Sequence, residues 1–118
     1  MRRILMREIM TTGKVNLFDT DLQRKAILFK ALAHPARLAI LQYLAEIQTC
    51  ITGDIADELP LSRTTVNQHL KELRDAGLIK GTVDGVKTNY CLNAKAIEAL
   101  RKECDCFLGI IDVKKTFC

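Results

Sequence analysis

Apolar residues recur along the chain at helical spacing in four stretches, with an alternating stretch before the last. Leu22, Ile27, Leu28, Ala31 and Leu32 fall on one face of a helix, and Asp19 or Thr20 is placed to cap its start. Ala33-His34-Pro35 ends that helix, and Pro35 suits the first turn of the next, where a missing N–H costs nothing. Leu38, Leu41, Tyr43 and Leu44 carry the second helix to about Glu46. Thr49-Cys50-Ile51, rich in β-formers, predicts a short strand. A short helix is expected over 53–59, with Ile55, Ala56 and Leu59 inward and Pro60 stopping it. Ser62 then caps a helix over 64–76 that carries Val66, Leu70 and Leu73 on one face, and Gly77 stands where a left-handed C-terminal cap is wanted. Residues 78–82 alternate as a strand does. Asp84-Gly85 is a hairpin turn signal, and 87–92 returns as the second strand. Asn93 caps a last helix whose stripe is Ile97, Leu100, Cys104, Leu108 and Ile111.

Helix, short turn, helix and hairpin in that order predict a mostly α fold with a small β-hairpin wing. This is a winged helix-turn-helix with the order α-α-(β)-α-α-β-β-α. Residues 1–17 have no clear period and are broken by Thr11-Thr12-Gly13, so they read as an arm. The domain proper is expected over 18–112, with a tail at 113–118. No internal repeat is visible. A length of 118 residues fits one domain, and 48% apolar with 27% charged residues is ordinary for a globular protein. There is no apolar run of about 18 residues to span a membrane, and the start lacks the run of roughly 7–15 that a signal peptide needs. The expected location is the cytoplasm. A net charge of +4 favours a polyanionic partner.

The helix after Pro60 divides its chemistry between its faces. Ser62, Arg63, Thr64, Thr65, Asn67, Gln68 and Lys71 are left outward near its N-terminal half, and the hairpin adds Lys80 and Lys87. These side chains hydrogen-bond phosphates and base edges: Asn and Gln pair with adenine, Arg with guanine, and Thr meets a thymine methyl. A merely solvated face is the plainer alternative, but the clustering at the recognition end favours double-stranded DNA as partner. Carboxylates are scattered, no Gly-rich phosphate loop appears, and two histidines do not assemble a nucleophile with a base and its orienter. No enzyme is expected.

The run Leu28-Phe29-Lys30-Ala31-Leu32-Ala33-His34-Pro35-Ala36-Arg37-Leu38-Ala39-Ile40-Leu41 resembles the first signature of the ArsR/SmtB repressors. Asp54-Ile55-Ala56, with the run from Leu61-Ser62-Arg63-Thr64-Thr65-Val66-Asn67-Gln68-His69-Leu70 to Gly77-Leu78-Ile79, resembles the second. The resemblance covers roughly residues 20–100. It implies a homodimer built on the first and last helices, with Leu100, Cys104, Leu108 and Ile111 as candidate seam residues. It also implies a repressor that binds an inverted-repeat operator and leaves it when an inducer, usually a metal or metalloid ion, binds. His34 and His69 fall where the signature carries His whatever the ligand. His34 reads as a cap and packing residue. His69 reads as a support of the recognition helix or a phosphate contact, and is counted with the DNA-binding candidates.

The five cysteines stand at 50, 91, 104, 106 and 118. An odd number in a reducing compartment argues against a disulfide framework. Many arsenic- or cadmium-responsive members carry Cys-x-Cys just before the first motif helix, where this chain has Cys50 alone and Thr52. The zinc-sensing members use His on the last helix, and this chain has no His after 69. Two thiol constellations remain: Cys104 with Cys106 on the last helix, and Cys50 with Cys91, which a strand contact would bring together. Thiolates suit trivalent arsenic or antimony, or cadmium, so the expected inducer is arsenite, antimonite or cadmium, with arsenite first and no resident cofactor. A repressor of the same fold that senses oxidation or reactive sulfur is the alternative. Simple packing of the cysteines is the bland reading.

Overall fold

Asp19 opens the first helix, its carboxylate accepting a hydrogen bond from the Asp21 amide at 3.4 Å. This computed structural model describes residues 14–47, 51–52, 54–84 and 87–113, with 14–15, 51–52, 54, 56, 83–84 and 87–88 described by their backbone alone. Residues 1–13 of the expected arm, Cys50, Gly85 and the tail from 114 on lie outside the described residues. A short 3-10 turn, Lys14–Leu17, leads into α1, Thr20–Leu32. The chain then bends at Ala33-His34 into α2, Pro35–Ile47. Here the apolar pattern resolves differently from expectation. α2 buries Ala36, Ile40 and Leu44, a row spaced by four, while Leu38 is left 50% exposed.

After β1, Ile51–Thr52, the first helix of the DNA-binding motif is a 3-10 helix, Asp54–Glu58, rather than the α-helix expected. Five residues ahead of Pro60 leave too little chain to establish an α-helical ladder, and the tighter turn still buries Ile55. The second motif helix is α3, Arg63–Asp75. It ends in a Schellman motif: Gly77, at φ +81°, donates to the Arg74 carbonyl at 2.9 Å, and Leu78 donates to the Leu73 carbonyl at 3.0 Å. Leu73 and Leu78, the pair this motif brings together, are both fully buried.

The wing is β2, Ile79–Asp84, antiparallel to β3, Lys87–Leu92, and the sheet order is β1-β3-β2. Its register runs from Ile79↔Leu92 to Asp84↔Lys87, while β1 pairs Ile51↔Tyr90 and Thr52↔Asn89. Asn93 then caps α4, Ala94–Ile110, by accepting from the Ala96 amide at 3.3 Å. The same side chain donates to the Gly77 carbonyl at 3.0 Å, so one residue joins the start of α4 to the end of α3. The core gathers Ile40, Leu44, Ile55, Val66, Leu70, Leu73, Leu78, Ile79 and Leu100. No helix among the described residues is long and apolar enough to cross a membrane.

α1 and α4 are tied by charge and by rings. Arg24 meets Glu103 at 2.9 Å, and Lys25, almost wholly buried, meets Asp21 and lies 3.5 Å from Glu103. Phe29 and Phe107 pack edge to face with centroids 5.8 Å apart.

Candidate nucleic-acid interface

α3 sorts its residues cleanly. Val66, His69, Leu70 and Leu73 are buried, and Arg63, Thr64, Asn67, Gln68 and Lys71 are exposed. These five run i, i+1, i+4, i+5, i+8, one helical face opposite the core toward the N-terminal part of α3, with Glu72, Arg74 and Asp75 exposed nearer its end. An Arg, two amides, a Thr and a Lys on a face whose back is anchored in the core form a surface able to enter a major groove. Ser62 and Thr65 do other work. The Ser62 hydroxyl accepts from the Thr65 amide at 3.2 Å and donates to the Thr65 hydroxyl at 2.9 Å, so the two close the helix N-terminus on each other. On the wing Lys80 is exposed, whereas the Lys87 side chain lies outside the described residues.

His69 sits behind this face. Its Nδ1 accepts a hydrogen bond from Arg37 Nε at 3.2 Å, and its ring lies 4.1 Å, centroid to centroid, from that of His34. Burial, then His34, then Arg37 hold its imidazole below the usual histidine range, against a weaker opposing pull from Glu72. His34 accepts from the Ala36 amide on its own Nδ1 at 3.0 Å and so caps α2. Arg37, part of the signature run over 28–41, joins this site although the motif helix does not contain it. Its Nη1 also donates to the Lys30 and Ala31 carbonyls, at 3.0 and 3.3 Å, at the end of α1. Arg37 is the one cation in the apolar run from Ala36 to Leu41, and a half-buried guanidinium among such residues requires partners, but packing alone decides which carbonyls and ring supply them.

The thiols separate. Cys104 packs half-buried against the core, while Cys106, two residues on, is exposed, as positions about 200° apart on a helix must be. Both are free thiols. Cys91, on β3, is disulfide-bonded, a single bridge where the sequence argued against a disulfide framework. Cys50 lies outside the described residues. Among the described residues no group of three or more His, Cys, Asp or Glu side chains is placed to hold a metal ion. One protomer's described residues therefore do not fit a three-sulfur ion. Of the four seam candidates, Leu100 is 8% exposed within the protomer's own core and Cys104 leans on that core, while Leu108 and Ile111 are exposed.

Residues 32–82 match a helix-turn-helix domain family. The chain is 38% identical over 79 residues to the HTH-type transcriptional regulator Rv2034 of Mycobacterium tuberculosis, covering 67% of this chain and 73% of that one. A solved structure described as a possible transcriptional regulator for arsenical resistance is similar at a TM-score of 0.61 and 31% identity, over 67% of this chain and 81% of that chain. The cadmium metal-sensor CMTR of Mycobacterium tuberculosis is similar at a TM-score of 0.50 and 37% identity, over 65% and 79% respectively.

Proposed function

This chain belongs to the ArsR/SmtB family of helix-turn-helix transcriptional regulators, DNA-binding proteins and not enzymes, and from that premise we propose that it is a homodimeric repressor reading an inverted-repeat operator in the cytoplasm. The observation that carries the reading is the exposed row Arg63, Thr64, Asn67, Gln68 and Lys71, backed by a buried face that fixes its orientation. Two such helices related by a two-fold axis would face successive major grooves. Leu108 and Ile111, with Leu22 and Ile27 of α1, are large exposed apolar side chains on the two helices that the family resemblance assigns to the dimer.

The effector we propose is thiophilic. Relatives described as an arsenical-resistance regulator and a cadmium sensor support an ion, with trivalent arsenic first and antimony and cadmium behind it. An ion would take the free thiols Cys104 and Cys106, or Cys50 and Cys91 after reduction, with further donors from outside one protomer's described residues. The disulfide at Cys91 favours the second reading, an oxidant or reactive sulfur species acting on the Cys50 and Cys91 pair. The β1–β3 register supports that pair, because it pairs Ile51 with Tyr90, the chain neighbours of Cys50 and Cys91. Whichever effector acts must bind or form more readily in the DNA-free shape, since equal affinity for both shapes shifts nothing.

The test is operator release followed by fluorescence anisotropy, with arsenite, cadmium and a persulfide donor as effectors on the five single Cys→Ser variants. Loss of the arsenite or cadmium response in the Cys104 and Cys106 variants supports the ion site there. Loss of the persulfide response in the Cys50 and Cys91 variants supports the sulfur reading. Wild-type dose dependence in all five would leave the cysteines as packing residues.

A further inference from the structure

His69 stands on the helix proposed to read DNA yet is turned away from the DNA-facing row, nearly buried. It meets a side chain that joins three helices. Arg37 of α2 holds the last carbonyls of α1 through Nη1 and the α3 imidazole through Nε. For Nδ1 of His69 to accept the Arg37 N–H, the imidazole must be neutral, with its proton on Nε2. The His34 ring lies against it from the α1–α2 corner, its own Nδ1 occupied as an acceptor for the Ala36 amide. The charged and titratable groups facing His69 are thus Arg37 from α2 and His34 from the corner, with Glu72 on α3 itself. Two of these three disfavour an added positive charge.

We propose that Arg37, His69 and His34 form a proton-sensitive junction that seats the recognition helix, so that DNA affinity falls when His69 takes up a proton. A second proton on His69 lands on Nδ1. It then faces the Arg37 N–H, replacing an acceptor with a donor and a neutral ring with a cation. Arg37 cannot withdraw without releasing the carbonyls of Lys30 and Ala31, so α3 shifts away from it instead. Because His69 is held below the usual histidine range, the junction is complete at neutral pH and is lost as the pH falls through that lowered value. Arg37 and His69 act here as positioning residues. The exposed row above them makes the DNA contacts.

The proposal rests on the DNA-binding reading, and its test keeps the two apart. A duplex selected by the full-length protein from a randomised pool is titrated by anisotropy at constant ionic strength across acid to neutral pH. The His34 and His69 imidazoles are titrated by NMR in the same protein. The expected result is a loss of affinity on acidification of roughly tenfold, the size of one lost charge-assisted hydrogen bond. Its midpoint should follow the His69 titration. In His69→Asn, whose amide oxygen accepts from Arg37 without titrating, the affinity profile should flatten whatever its absolute level. In Arg37→Gln the His69 titration should move up toward the ordinary histidine range. Affinity that rises on acidification, a His69 titration unmoved by Arg37→Gln, or an unchanged profile in His69→Asn would each overturn the junction while leaving DNA binding standing. Failure to select or bind any duplex at any pH removes the DNA reading and this proposal with it.

Discussion

At the scale of single residues, exposure separates side chains that the sequence grouped together. Ser62, Thr65 and His69 share a segment with the exposed Asn67, Gln68 and Lys71, but hydrogen bonds within the protein engage the first three. Gln68→Ala is therefore expected to cost about 1–3 kcal/mol of DNA affinity and to relax preference at one base pair, read by anisotropy on a panel of single-base variants. Lys71→Ala should instead weaken all duplexes alike and lower the slope of log affinity against log salt by about one. A second residue-scale outcome concerns Asp21. Hydrogen bonds from Lys25 and then Arg24 hold its carboxyl below the ordinary aspartate value. The stability this gives is present above that ordinary value and is lost as the pH falls through the lowered one. Denaturant midpoints followed into acid should fall less steeply in Asp21→Asn than in the wild type. Identical acid profiles would count against the Asp21 pairing.

At the scale of elements, local chemistry was legible wherever one residue closes a helix. Asp19, Ser62 and Asn93 cap as their side chains allow, and Gly77 takes the left-handed conformation at the end of α3. Nothing lies within 4 Å of a Cβ placed on Gly77, so Gly77→Ala meets only the backbone strain of φ +81°. It is expected to cost about 1–2 kcal/mol in denaturant unfolding. What the sequence hid were choices made by packing. Periodicity says that a face is apolar, not what covers it. Leu38 and Leu22 belong to the apolar residues recurring at helical spacing, yet α2 turns the row Ala36, Ile40 and Leu44 to the core, and Leu38 and Leu22 are exposed. The 3-10 form of 54–58 was equally illegible, because inward Ile55 satisfies either helix type. The exposure of Arg63, Thr64, Asn67, Gln68 and Lys71 follows from the apolar stripe on the other side of the helix; the Arg37 bridge does not, since its partners lie 6, 7 and 32 residues away.

At the scale of the whole molecule, the stripe on α4 divides between two tasks. Leu100 belongs to the protomer's own core, whereas Leu108 and Ile111 stay exposed. Leu100→Ala should destabilise folding by about 2–5 kcal/mol, read by denaturant unfolding. Leu108→Asp should leave a folded chain and shift its mass in light scattering from dimer to monomer, with weakened DNA binding. A Leu108→Asp protein that remains dimeric would move the seam elsewhere. The same division explains why α1 and α4 are joined inside one protomer by Arg24, Lys25 and Glu103 and by Phe29 with Phe107. They form a unit whose exposed apolar side chains, Leu108 and Ile111 with Leu22 and Ile27, make up the surface proposed for the dimer.

The wing is a cantilever. At its root, β3 has β2 on one side and β1 on the other at Asn89 and Tyr90, and Asn93 donates from its amide to the Leu78 carbonyl at 3.0 Å. Toward its end, the pairs Val83↔Thr88 and Asp84↔Lys87 have no third strand against them among the described residues. A beam clamped at one end bends most at the other, so the stiff root fixes where Lys80 stands while the far end yields to the width of whatever groove it meets. Amide exchange should follow that gradient, slow at Tyr90 and faster at Thr88 by an order of magnitude or more, since opening the outer pairs leaves the root intact. Uniform exchange along β3 would mean that the hairpin opens as a single piece.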